Sequence, residues 1–175
     1  VIISEHDASL GVVLGDGKGH EEVIATQQPL LNRCWYFIAV SYDAQTRKVC
    51  VYQEPLTDYP GVSDAAEVQT TAQTRGLGKN QEPLMFSVFR SGRTGTLLDG
   101  KYNGKIDSPR LANRALSRAE MEMFTHAPES PQLSTAVVGA WDFSRDIRSL
   151  KVSDTSPNLL HGAIVNLPAR GMKGY

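Results

Sequence analysis

The chain has 175 residues, 41% of them hydrophobic, enough for a single domain with a core or for one domain with a tail. Its formal net charge of -1 gives no electrostatic reason to expect a nucleic-acid or anionic-membrane partner. No apolar run approaches the roughly 20 residues that span a bilayer.

The chain opens on Val1-Ile2-Ile3, with no initiator Met and no charged-then-apolar leader. A start inside an apparent strand reads as a piece of a longer polypeptide. Residues 10–14 and 22–26 read as two further strands, joined by Gly15-Asp16-Gly17-Lys18-Gly19. That segment lacks the Gly-Lys-Ser/Thr ending of a phosphate cradle and no helical pattern follows it, so a turn is the better reading.

Residues 34–52 form the organising stretch, a hairpin of β-branched and aromatic arms around Asp43-Ala44-Gln45-Thr46. With Tyr42 opposite Arg47, Val40 faces Val49 and Ile38 faces Val51. Tyr36, Ile38, Val40, Val49 and Val51 then share one face; Trp35, Phe37, Ala39, Cys50 and Tyr52 share the other. Both faces are apolar, which predicts a central strand pair covered on two sides. Cys34 and Cys50 fall on opposite faces, so free, buried thiols are expected rather than a disulfide, in keeping with a cytoplasmic origin.

Residues 57–82 are polar and aperiodic and read as a long loop, with one weak strand around 67–71. A strand follows at 83–89 and a turn at 92–95. After an Asn103-Gly104 turn signal, residues 105–112 read as extended. Ser117-Arg118-Ala119-Glu120 is a capping box, opening the one short helix, which ends by Thr125 or His126 ahead of Pro128. Residues 129–134 read as a Pro- and Ser-containing link. Strands are expected at 137–143 and 161–165, separated by a turn around Asp154 and Pro157-Asn158, and 168–175 reads as an exit tail. Many short strands with one helix define an all-β sandwich or barrel.

Candidate sites are few. His6, His20, His126 and His161 have no metal-ligand spacing. Asp142, Asp146 and Asp154 could offer oxygens to calcium, but no acidic loop of alternating ligands surrounds them, and Asp154 also suits a turn cap. Trp35, Phe37 and Tyr52 could form a sugar-stacking platform; aromatics on a central strand pair are more often core. Asp107 lacks the second carboxylate of a glycosidase run. No catalytic, metal or cofactor-binding residue is assigned.

The 35–43 and 49–52 runs resemble the middle of laminin-G-like, concanavalin-A-type jelly rolls. Tyr102-Asn103-Gly104-Lys105-Ile106-Asp107, with Asn113-Arg114-Ala115-Leu116-Ser117 and Glu120, is similar to that family's closing strand and short helix. Trp141-Asp142-Phe143, 154–158, His161-Gly162 and Val165-Asn166 look like its opening strands, placed after the helix instead of before it. Adjacent chain ends permit such a permutation. The order of these blocks, together with the runs at 141–146 and 165–172, resembles the large-subunit family of N,N-dimethylformamidase.

That resemblance implies a two-sheet antiparallel jelly-roll sandwich over 1–167 and allows it to be circularly permuted, with the strands of 138–167 closing it. It implies a non-catalytic structural or interaction domain of a bacterial amidohydrolase. The parent's iron and catalytic residues would lie outside this chain, in a downstream catalytic domain of the same polypeptide, with a small subunit and a homo-oligomer as further expected partners. A lectin-like carbohydrate-binding module is the alternative.

Overall fold

A computed structural model describes residues 1–58, 60, 65–75, 83–91, 97–166 and 168–170, with 89–91 and 97–99 described by their backbone. The turn expected at 92–95 and the end of the expected tail, 171–175, lie outside the described residues.

The first sheet is an antiparallel meander of β1 (Ile2–Ile3), β2 (Ser9–Gly15) and β3 (Glu21–Pro29). Asp16 makes the β2–β3 connection a turn, its carboxylate accepting from the Lys18 and His20 amides at 2.7 and 3.1 Å. Val12 pairs with Ile24, and the ladder slips between Ser9 and Gly11, opposite a left-handed Gln27. Gly11 is needed there: a Cβ would sit 3.2 Å from both the Ala25 Cβ and the Ile24 carbonyl.

The second sheet orders β4 (Tyr36–Tyr42), β5 (Lys48–Pro55) and β6 (Ala66–Thr71). Here the register differs from the expected one by two residues. Tyr42 pairs with Val49 and Val40 with Val51. The cause lies in the turn. Asp43 accepts from the amides of Gln45 and Thr46 and from the Thr46 hydroxyl, and Arg47 takes a left-handed φ of 61°. Arg47 is thereby spent on the turn and not on the ladder. A slip of two leaves every side chain on its expected face. β5 is the middle strand, and β6 pairs along it from Lys48↔Thr71 to Gln53↔Ala66. The strand expected inside the long loop is therefore present.

These two sheets stack face to face. Leu10, Val12 and Leu14 of β2 and Ile24 of β3 close over Val49 and Val51 of β5, with Ala72 at the margin and Val40, Tyr42 and Val68 partly buried against them. Buried Gln53 braces the layers, accepting from the Thr26 hydroxyl at 2.7 Å and donating to the Gln28 carbonyl at 3.0 Å. The Glu22 carboxylate adds a tie, accepting from the amides of Gln73 and Thr74 at 2.8 and 2.9 Å.

β7 (Phe89–Ser91) and β8 (Leu97–Asp99) form a separate antiparallel pair. The strand expected over 83–89 thus begins only at Phe89. Phe86 is drawn into edge contacts with Trp141 and Phe143 at 5.4 and 5.8 Å, and Ser87 turns left-handed, which breaks the alternation. Likewise, of the extended run expected at 105–112, only β9 (Arg110–Ala112) is strand.

Helix α1 (Arg118–His126) starts where expected, with both halves of the Ser117–Glu120 box made. The link expected at 129–134 contains a second helical turn, α2 (Pro131–Ser134), because Pro131 is preset for a first helical position and Leu133 becomes fully buried.

The last strands are β10 (Val137–Asp142), β11 (Lys151–Asp154) and β12 (Gly162–Ala163). They make a four-stranded antiparallel sheet with β9, in the order β12-β11-β10-β9. Among the described residues these late strands pair with β9 and with one another, not with β1–β6. All-β architecture, antiparallel pairing and a stacked sandwich are as the sequence predicts; the second helical turn is not.

Candidate functional site

Two places collect the residues singled out from the sequence. The first is the outer face of β5. Phe37 and Tyr52 stand 6.1 Å apart at 59°, on one face as expected. Tyr52 is fully buried, so it offers no open ring to a sugar. Its cover is Arg118, the first residue of α1, whose guanidinium lies 3.4 Å from the ring centroid. The same guanidinium bridges Glu67 of β6 at 2.5 Å and Glu122 of α1 at 2.7 Å. The Tyr52 hydroxyl donates to Glu54 at 2.6 Å, and burial together with that carboxylate pushes the phenol well above its ordinary range. Trp35 is half-buried ahead of β4, its carbonyl accepting from the Leu56 amide. Of the three aromatic candidates, Tyr52 therefore serves to seat α1 on the sheet. Arg118 was missed in the sequence; its place one residue after a helix cap was the only sign available.

Cys50 shares this face. Both cysteines are free, and both are half-buried instead of fully buried as expected. Burial, reinforced by the neighbouring Glu67 carboxylate, raises the Cys50 thiol to about 11, which keeps it protonated and unreactive at neutral pH.

The second place is the β10–β11 hairpin, which carries all three calcium candidates. Their carboxylates are committed to separate donors. Asp142 accepts from the amide and hydroxyl of Ser144 at 2.9 and 2.6 Å and from Arg145 Nε at 3.0 Å. Asp146 accepts from the Ser153 hydroxyl at 2.8 Å. Asp154 is 2% exposed and accepts from the amides of Ala140, Ser156 and Leu160 at 2.8, 2.8 and 2.7 Å, and from the Ser156 hydroxyl at 2.8 Å. Burial opposes its charge, yet those donors outweigh burial and hold the carboxyl below its ordinary value. Asp154 is thus a turn cap that ties β10 to the 154–160 loop. His161 supports the same turn, accepting from the Asp154 amide at 3.1 Å. Among the described residues no three of His, Cys, Asp or Glu converge to hold a metal ion.

Beside this hairpin lies a cleft of about 380 Å³, walled by Arg110, Glu129, Trp141, Asp142, Arg145 and Thr155. Trp141 forms a buried wall, its indole N–H donating to the Leu160 carbonyl at 2.8 Å. That indole lies over Gly139, where a Cβ would come within 2.4 Å of the ring. Arg110 sits 5.5 Å over Phe124 and donates to the Ser108 carbonyl, while Arg145 is engaged by Asp142. The lining offers hydrogen bonds and both signs of charge; no histidine or cysteine is in it.

These features define an all-β, antiparallel sandwich domain whose polar residues are mostly spent on turns and on seating a helix. No protein-family model matches the chain. It is, however, similar to two curated proteins along almost its whole length. It is 28% identical to the N,N-dimethylformamidase beta subunit of Alcaligenes sp and 27% identical to that of Paracoccus aminophilus, over 97% of this chain in each case. Both relatives are beta subunits by name; the resemblance read from the sequence was to the large subunit. The chain spans 24% of the length of each of these relatives. No helix among the described residues is long and apolar enough to cross a membrane.

Proposed function

We propose that this chain is a structural and interaction module of an N,N-dimethylformamidase-like amidohydrolase, contributing contacts and not the reacting groups. The observation that carries this reading is the pair of coverages: 97% of this chain aligns with relatives of which it spans only 24%. A similarity of that shape is what one β domain within a much longer subunit would give. The finer picture is a laminin-G-like jelly roll, permuted so that β10–β12 stand in for opening strands. The parent would hydrolyse a small N-substituted formamide to amine and formate at an iron held by other parts of the protein. A catalytic domain of the same polypeptide, a smaller subunit and further copies are its proposed partners, in a reducing cytoplasm where Cys34 and Cys50 stay free.

The site geometry supports the non-catalytic part. Each acidic candidate of the β10–β11 hairpin accepts from local donors, and the ion pairs of Arg118 with Glu67 and Glu122 seat α1 on the second sheet. Of the aromatics that the lectin-like alternative needs, Tyr52 is covered by Arg118, which favours the first reading.

An assay of amine release from N,N-dimethylformamide tests the proposal. The purified chain is expected to show no turnover, and a longer natural protein containing it is expected to be active. Turnover by the chain alone would sink it.

A further inference from the structure

The connection between β10 and β11 turns its carbonyls toward a single point. Phe143, Arg145, Asp146, Ser149 and Lys151 all present their main-chain oxygens there, and the guanidinium of Arg170 fills it. Nε donates to the Phe143 carbonyl at 3.1 Å. One terminal nitrogen donates to Lys151 at 3.1 Å, Ser149 at 3.2 Å and Asp146 at 3.5 Å, and the other to Arg145. The loop is shaped for this. Asp146 has a left-handed φ of 50°, its carboxylate is held by the Ser153 hydroxyl, and its carbonyl also accepts from the Ser149 amide at 2.8 Å.

We infer that the 143–151 loop is a carbonyl-lined cation site whose resident cation is the chain's own Arg170. The planar guanidinium is the chemical class that fits, because its forked donors reach carbonyls on several sides at once; a lysine ammonium offers three donors at a single nitrogen. Asp146, a calcium candidate in the sequence, does serve a cation, but through its backbone. The arrangement also works as a strap. It pins the chain that follows β12 across the tip of the β10–β11 hairpin, and it fixes Phe143, whose ring meets Phe86 at 5.8 Å. This inference is independent of the proposed function.

Hydrogen exchange of the 143–151 amides in the full chain tests it, comparing the native protein with Arg170→Ala and Arg170→Lys. Both substitutions are expected to speed exchange there by about tenfold or more, with exchange in β2 and β5 unchanged. Millimolar guanidinium chloride, against sodium chloride at equal ionic strength, is expected to restore slow exchange in R170A and to leave the native protein as it was. Unchanged exchange in R170A overturns the inference, and so does faster exchange that guanidinium fails to restore. Should R170A not fold, R170K carries the test, and native-like exchange in that variant overturns it equally.

Discussion

Asp154 is the residue whose charge matters most locally. It is almost fully buried and takes four hydrogen bonds, three of them from backbone amides on both sides of the turn. Alanine at this position would leave those donors inside the fold with no acceptor. Asp154→Ala is therefore expected to cost about 3 kcal/mol, read as a lower urea midpoint, while Asp154→Asn, which keeps one acceptor oxygen, costs less. A loss within about 0.5 kcal/mol for alanine would show that water replaces the carboxylate. The sequence favours a turn cap over a calcium ligand at Asp154, for want of an acidic loop around it, but does not name the cap's distant donors. Those are Ala140 and Leu160, which only the folded hairpin brings to it.

At the scale of elements, α1 is the clearest case of local chemistry deciding structure. Ser117 accepts from the Glu120 amide, and the Glu120 carboxylate returns to the Ser117 amide at 2.8 Å and to Arg114. Ser117→Ala is expected to cost about 1 kcal/mol in a thermal or urea melt. Arg114, followed by the Ser117 donors, holds the Glu120 carboxyl down to about 2 from an ordinary 4.5. A carboxyl depressed in the folded state stabilises it fully above its unfolded value, and that contribution is lost as pH falls through the folded value. Stability should therefore decline between about pH 4.5 and pH 2, and Glu120→Gln should flatten that decline. An acid titration that is equally steep in both proteins would assign the loss to other carboxylates. The 129–134 segment shows the opposite case. Its helical turn exists because Leu133 is buried by tertiary contacts, and nothing in Pro131-Gln132-Leu133-Ser134 alone has helical length.

For the whole molecule, stability rests on the apolar layer between the first two sheets. Val51 is fully buried at its centre, on the middle strand. Val51→Ala is expected to cost about 2 kcal/mol and to lower one cooperative transition seen equally by far-ultraviolet dichroism and by tryptophan fluorescence. Trp141 reports the β9–β12 sheet, which shares no strand pairing with β1–β6 among the described residues. Two separated transitions would show that the late sheet melts on its own.

The sequence by itself determined what depends on neighbours along the chain: the alternation of residues 36–42 and 48–52, the Asp16 and Asp43 turns, and the capped start of α1. These are short-range matters of side-chain period and of donors reaching back two or three residues. Tertiary structure alone decided the rest. It set which strands adjoin β10, drew Phe86 out of its strand, laid Arg118 over Tyr52 and placed Arg170 among the carbonyls of the 143–151 loop. Each of those contacts joins groups far apart in sequence, and its strength comes from burial and from donors that converge only once the sheets have formed.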